Sequence, residues 1–200
     1  MSWPITDNFN RADNDVPGTM SDGVHSWTEL SVDYDIVTNQ MKSTSAGNVD
    51  QVAKVTESHT ETDYYVQADI IWDSTGDPGV AARIIDVNNL YFWRRAGYGS
   101  SAYQLYKRVA GGHTLLNQVT GPTVNATIKI EVSGVNPTTI KCYIDTVENV
   151  STTDSDLDSG VPGLRAYEVS YWDNFYADVL GGAPPPPVAP PTLGLMGVGK

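Results

Sequence analysis

Disulfides are the first thing this sequence cannot have: Cys142 is the single cysteine among 200 residues, and one thiol makes no intrachain bridge. Stability must then come from packing, or from packing helped by a metal. Long apolar runs are missing too. No segment approaches the ~20 apolar residues of a membrane-spanning helix, and the opening MSWPITDNF has no basic stretch followed by an apolar one, as a secretory signal would. A chain made in the cytoplasm, with no membrane partner, is expected. Basic residues are scarce: 12 Lys and Arg against 24 Asp and Glu leave a formal net charge of -12. That field repels phosphate backbones, so nucleic acid is not an expected partner. His25, His59 and His113 are scattered without metal-ligand spacing, no serine sits in a nucleophile elbow, and no stretch carries the apolar period of an amphipathic helix.

What is present is strand and turn chemistry. In DYYVQADIIW (63–72), Tyr64, Val66, Ala68, Ile70 and Trp72 fall on one face and Tyr65, Gln67, Asp69 and Ile71 on the other, the period of a strand. DSTGDPG (73–79) reads as a turn, and VAARIIDV (80–87) as the next strand. LYFWRRAG and SAYQLYKRVAGG pair across Gly-Tyr-Gly-Ser, and TIKIEVSG (127–134) and TIKCYID (139–145) across an Asn-Pro turn at 136 and 137. Cys142, beside Ile140 and Ile144, reads as a small core residue. With 40% hydrophobic and 10% aromatic residues, the chain is expected to form one all-β domain, an antiparallel β-sandwich or jelly roll, over residues 1–180. From Gly181 the composition changes to GGAPPPPVAPPTLGLMGVGK. Four consecutive prolines favour an extended polyproline segment. Composition alone suits a solvated linker, but Leu193, Leu195, Met196 and Val198 make 181–200 apolar for a simple spacer, so this tail is expected to dock on a neighbouring chain.

The succession DNFNRAD, then Gly18, Thr19 and Trp27, then GVAARIIDVNNLYFWRR, YQLYKRVAGGHTLL, SGVPGLRAY and WDNFYADV resembles the concanavalin A-like lectin/glucanase superfamily, in particular the laminin-G-like jelly rolls of phage and bacterial surface proteins. The resemblance covers residues 5–180. It implies a first and a last strand lying side by side, with Asp7-Asn8-Phe9 next to Asp173-Asn174-Phe175 and both phenylalanines packed inward. It also implies a structural calcium ion, with Asp7 and Asp173 among its oxygen ligands; the alternative is that these residues only make turns ahead of their strands. A second acidic stretch, TDSDLDSG (153–160), does not fit the helix-loop-helix calcium motif, since its glycine comes one place late and Arg165 stands where the closing glutamate belongs. An exposed acidic turn is expected there.

Retaining glucanases of this superfamily carry Glu-x-Asp-x-x-Glu on one strand. The nearest string, ETDYYV (61–66), offers Glu61 and Asp63 but has Val66 in place of the second glutamate, so an enzyme is not expected. Binding is better supported. Arg83, Arg94, Arg95, Lys107 and Arg108 fall in a window where Asp86 is the one acid. If Leu90, Phe92 and Leu105 face the core, Arg83, Tyr91, Trp93, Arg95, Tyr106 and Arg108 line a concave surface whose rings and guanidiniums suit a glycan, carboxylated and sulfated ones included. The other arrangement packs Tyr91 and Trp93 against the second sheet, and periodicity leaves both open. The resemblance, with the untargeted N-terminus and the expected docking tail, implies a non-catalytic module on a virion surface, a phage head decoration or tail-associated protein. Its partners would be a cell-surface polysaccharide, other virion proteins held through the tail, and copies of itself as a homo-oligomer. The alternatives are a glycoside hydrolase with an atypical site and a purely structural virion module.

Overall fold

The computed structural model describes residues 3–14, 17–31, 33–45, 47, 49–71, 75–97 and 99–181. Its elements are all strands: β1 (Ile5–Asp7), β2 (Trp27–Glu29), β3 (Tyr34–Val37), β4 (Gln40–Ser43), β5 (Asp50–Val55), β6 (Tyr64–Ile71), β7 (Gly79–Asp86), β8 (Asn89–Arg95), β9 (Ala102–Val109), β10 (Gly112–Thr120), β11 (Ala126–Ser133), β12 (Thr138–Ile144), β13 (Val147–Asp154), β14 (Val161–Tyr167) and β15 (Tyr171–Val179). An eight-stranded sheet runs β13-β12-β11-β6-β15-β4-β3, with β1 also on β15. The seven-stranded sheet runs β10-β9-β8-β7-β14-β5-β2, and every pairing is antiparallel.

Short turns set much of this register. Val37 pairs with Gln40, Val109 with Gly112 and Ile144 with Val147, leaving two-residue loops at Thr38-Asn39, Ala110-Gly111 and Asp145-Thr146. All six loop residues have positive φ, from 47° to 83°, the backbone whose twist matches that of the flanking strands.

The two sheets enclose one core. Tyr64, Val66, Ala68 and Ile70 of β6, Ile128, Ile130 and Val132 of β11, and Ile140, Cys142 and Ile144 of β12 pack with Ala82, Tyr91, Trp93, Tyr103, Leu105, Leu164 and Ala166 of the facing sheet. Strand β6 alternates buried and half-buried throughout, as its period requires; Trp72, the expected end of that face, lies outside the described residues. Cys142 is fully buried, and burial pushes its thiol pKa well up.

The first and last strands do lie side by side, with Ile5 opposite Ala177, Thr6 opposite Tyr176 and Asp7 opposite Phe175. Trp27 packs between the two repeated phenylalanines, its ring 6.3 Å from Phe9 and 4.8 Å from Phe175. Beyond β15, Leu180 N–H donates to Asp63 O at 3.0 Å. The proline-rich 182–200, expected to dock on a partner, lies outside the described residues.

Candidate functional site

Register decides which side chains can meet on the basic strands. Leu90 pairs with Arg108, Phe92 with Tyr106 and Arg94 with Gln104, while Tyr91 pairs with Lys107, Trp93 with Leu105 and Arg95 with Tyr103. Side chains alternate between faces, so even-numbered residues of β8 and β9 share one face and odd-numbered ones the other. The odd face is the core. Tyr91, Trp93 and Arg95 are fully buried there, with Trp93 Nε1 donating to Tyr143 O at 3.2 Å and Tyr91 Oη to Asp154 Oδ1 at 2.7 Å. The expected common surface of Tyr91, Trp93, Arg95, Tyr106 and Arg108 is thus corrected: it needs a register shifted by one residue, and only Tyr106 and Arg108 face outward.

Arg83 is also placed elsewhere. Register with β8 shifts between Ala82 and Asp86, and Arg83 sits in this bulge with φ 53°. Its buried guanidinium donates to Thr62 O at 2.8 Å, Gly134 O at 2.9 Å and Asp158 O, joining three loops. Gly160 lies against it so closely that an added Cβ would fall 2.4 Å from the Arg83 carbonyl carbon.

The outer face of the seven-stranded sheet carries its own small apolar cluster, Val52, Ala81, Ile84, Leu90, Phe92 and Val161. Beside it opens a cleft of about 290 Å³ lined by Asp50, Asp77, Phe92, Arg94, Tyr106, His113, Arg165 and Tyr167. Phe92 and Tyr106 stack at 5.4 Å with 12° between planes, and His113 stands edge-on to both rings. The Arg165 guanidinium lies 4.5 Å over Phe92 and that of Arg94 5.2 Å over Tyr106, each within cation–π range.

One carboxylate holds most of the positive charge. Asp50 pairs with Arg165, with Arg108 at 3.1 Å and with His113 Nε2 at 3.2 Å. Burial alone would raise the Asp50 pKa, but the Arg165 guanidinium, with His113 and Arg108, outweighs it and holds the group below its ordinary value. For His113, burial is the largest influence and lowers the pKa; Asp50 opposes this, and Arg165, Arg108 and Arg94 reinforce it. Arg94 bonds Asp77 and Gln104 Oε1. Burial, and then repulsion from Arg165, pushes its pKa down to about 10.

This arrangement is suited to holding a ligand and poorly suited to hydrolysing one. Glycoside cleavage needs a protonated carboxylic acid within reach of a second carboxylate. In the cleft Asp50 is kept ionised by its cations, and Asp77 is engaged by Arg94 and the Gly97 N–H. Glu61 and Asp63 precede β6 rather than lying in it, and Asp63 caps the loop at Gly134 N.

The expected calcium ligands also divide. Asp7 is 1% exposed and its oxygens are taken by both Arg11 Nη atoms (2.7 and 3.0 Å), Trp27 Nε1 (2.8 Å) and Phe9 N–H (3.0 Å). A cation there would have to displace a guanidinium, so Asp7 does not fit as a ligand. Asp173 is half-buried and faces a separate small cleft with Asp69, Asn125, Thr127 and Asp145; burial, then Asp69 and Asp7, raises its pKa. Among the described residues no three His, Cys, Asp or Glu side chains converge as metal ligands. The TDSDLDSG stretch is mostly exposed, as expected, but anchored, with Leu157 buried: Asp154 accepts from Tyr91 Oη and from Lys107 Nζ at 2.5 Å, Asp156 accepts from Lys107 as well, and Leu157 N–H donates to Tyr91 Oη.

Solved structures share this arrangement of two facing antiparallel sheets. The fold is the concanavalin A-like jelly roll. The carbohydrate binding module CBM66 from Bacillus subtilis matches this jelly roll with a TM-score of 0.66 at 17% identity, over 82% of this chain and 97% of that one. The GH43 protein BlXynB from Bacillus licheniformis matches at 0.60 and 9% identity, over 87% of this chain but 39% of that one. The VIP36 exoplasmic/lumenal domain, in its Ca2+/Man3GlcNAc-bound form, matches at 0.53 and 7% identity, over 87% and 90%. No family model and no curated protein matches the jelly roll by sequence.

Of the cleft residues, the sequence pointed to Tyr106, and to Arg108 beside it. Asp50, Phe92, Arg94, His113, Arg165 and Tyr167 were not among the expected ligand-binding residues. Counting residue pairs back from Ala96 opposite Ala102 puts Phe92 and Arg94 on the face of Tyr106, but counting from the strand ends Arg95 and Ala102 is off by one and does not, and Asp50 and Arg165 join only through β5 and β14, which are remote in sequence.

Proposed function

We propose that this chain is a non-catalytic glycan-binding module that takes its ligand at the cleft between Asp50, Phe92, Tyr106 and Arg165. One observation carries the reading: stacked rings and guanidiniums converge on an outer sheet face, supplying an apolar platform and directional donors together. Fold neighbours that are themselves named as a carbohydrate binding module and as a glycan-bound domain support it. The placement of the module rests on the sequence resemblance and on the apolar proline-rich end. In this reading it is displayed on a phage virion, as a head decoration or tail-associated protein, and its tail docks on another virion protein. Calcium is part of the reading only at the Asp173 side, since Asp7 is already engaged.

A glycan array of the full chain tests this, run with calcium and with a chelator. At least one neutral or acidic glycan should bind, and Tyr106→Ala, which removes the accessible ring of the stacked pair, should weaken binding about tenfold. Silence across the array overturns the reading. Unchanged binding and melting temperature under chelation removes calcium from it.

A further inference from the structure

The cleft is positive inside a negative molecule. Arg94, Arg108 and Arg165 gather there against Asp50 and Asp77, in a chain whose formal net charge is -12. Asp50 is shared by two guanidiniums and the His113 ring. One carboxylate presents about four acceptor positions, whereas two guanidiniums alone present about ten N–H donors. The Nε of Arg94, of Arg108 and of Arg165, and Nη1 of Arg165, have no hydrogen-bond acceptor among the described residues. Arg165 is 4% exposed. Buried cationic donors lacking acceptors are costly. An oxyanion entering beside Asp50 would relieve that cost, and small rotations of Arg94 and Arg108, 16% and 15% exposed, could bring their donors to it.

We infer that the ligand is an acidic glycan, whose anionic substituent is held by Arg108, Arg94 and Arg165 while a sugar face rests on Tyr106, the half-buried ring that stacks on the buried Phe92. This rests on the glycan-binding reading and narrows it to a substrate class. The cleft itself displays the recognition chemistry: Asp50 is a carboxylate gripped by Arg165 and Arg108, and a uronate carboxylate or a sulfate ester offers the same forked acceptor. Burial is the first cause of the depressed His113 pKa, and the positive charges of Arg165, Arg108 and Arg94 add to it against the opposing pull of Asp50. A neutral glycan would leave the surplus of donors as it stands.

The test measures binding of the full chain to polygalacturonate, to the same polymer methyl-esterified, to dextran sulfate and to neutral dextran, at two salt concentrations. Binding is expected to polygalacturonate or dextran sulfate, weaker at higher salt and lost on esterification. The polymer that binds tells carboxylate from sulfate. Arg108→Gln and Arg94→Gln should each reduce affinity about tenfold or more, with His113→Gln, at a more exposed position, as a second handle should either arginine variant melt early. Equal binding to esterified and free polygalacturonate, or binding to neutral polymers alone, overturns the acidic specificity and leaves glycan binding standing. Charge-dependent binding that none of the three variants weakens overturns the cleft as its seat. No binding to any polymer here or to any glycan on the array overturns both readings.

Discussion

Trp93 shows how far one residue's role depends on a single unit of register. It lies beside two arginines in a basic, aromatic strand, the setting of a ligand-binding tryptophan, yet it is fully buried against the opposite sheet. Trp93→Ala should therefore lower the unfolding free energy by about 3–5 kcal/mol, read as a fall in the denaturant midpoint. A loss below about 1 kcal/mol would put Trp93 outside the core. Asp7 teaches the same lesson for charge. An aspartate ahead of a strand can bind a cation or cap a turn, and here a bidentate arginine and an indole N–H have taken its lone pairs. Both partners stand in the succession that drew attention to it, Arg11 within DNFNRAD and Trp27 after Gly18 and Thr19, but that order does not show that they meet Asp7, Trp27 coming from a strand of the other sheet.

At the scale of elements, β7 is the strand whose irregularity matters. Arg83 stands in a bulge with a left-handed backbone, which turns its side chain out of the strand's alternation and into the carbonyls of Thr62, Gly134 and Asp158. Those three carbonyls belong to loops that join different strands, so one planar guanidinium closes an end of the sandwich. Arg83→Lys keeps the charge but cannot present the same fork, and should cost about 2–3 kcal/mol in chemical denaturation. A neutral outcome would mean that the loops close without it. The hairpins were legible for the opposite reason, being local. Alternation in Tyr64–Ile71, Ala126–Ser133 and Thr138–Ile144 gave strands close to those observed. Strands β3, β4 and β13 did not stand out, the first two because they are four residues long and β13 because most of it is exposed and its apolar alternation is weak.

At the scale of the whole molecule, acid is the condition that tests the charge distribution. His59 and His113 both have depressed folded-state pKa values, burial being the first cause in each. Between those values and the ordinary ~6.5 the unfolded chain binds more protons, so stability falls as pH drops through this window. Asp50 and Asp154 are held low by their cations despite burial. Their contribution is complete above about pH 4 and lost as pH falls through their folded values. Glu29 and Asp173 are raised, by burial first, and add some stability as pH falls towards their ordinary values, before this loss sets in. Thermal midpoints should stay level near neutrality, fall below about pH 6.5 and fall more steeply below about pH 4. A midpoint that rises between pH 7 and pH 5 would contradict these assignments.

Composition, alternation and turn residues by themselves determined an all-β sandwich without disulfides, because strand period and hairpin chemistry are written within ten residues or so of each position. They also placed aromatic and basic residues together on adjacent strands. Which of those residues face outward was decided by the tertiary structure, since a shift of one in pairing exchanges the faces of a whole strand. The site itself depends on longer range still. Asp50 and Arg165 meet because β5 and β14 pair next to β7, an adjacency set by how two sheets close over one core and not by any local pattern.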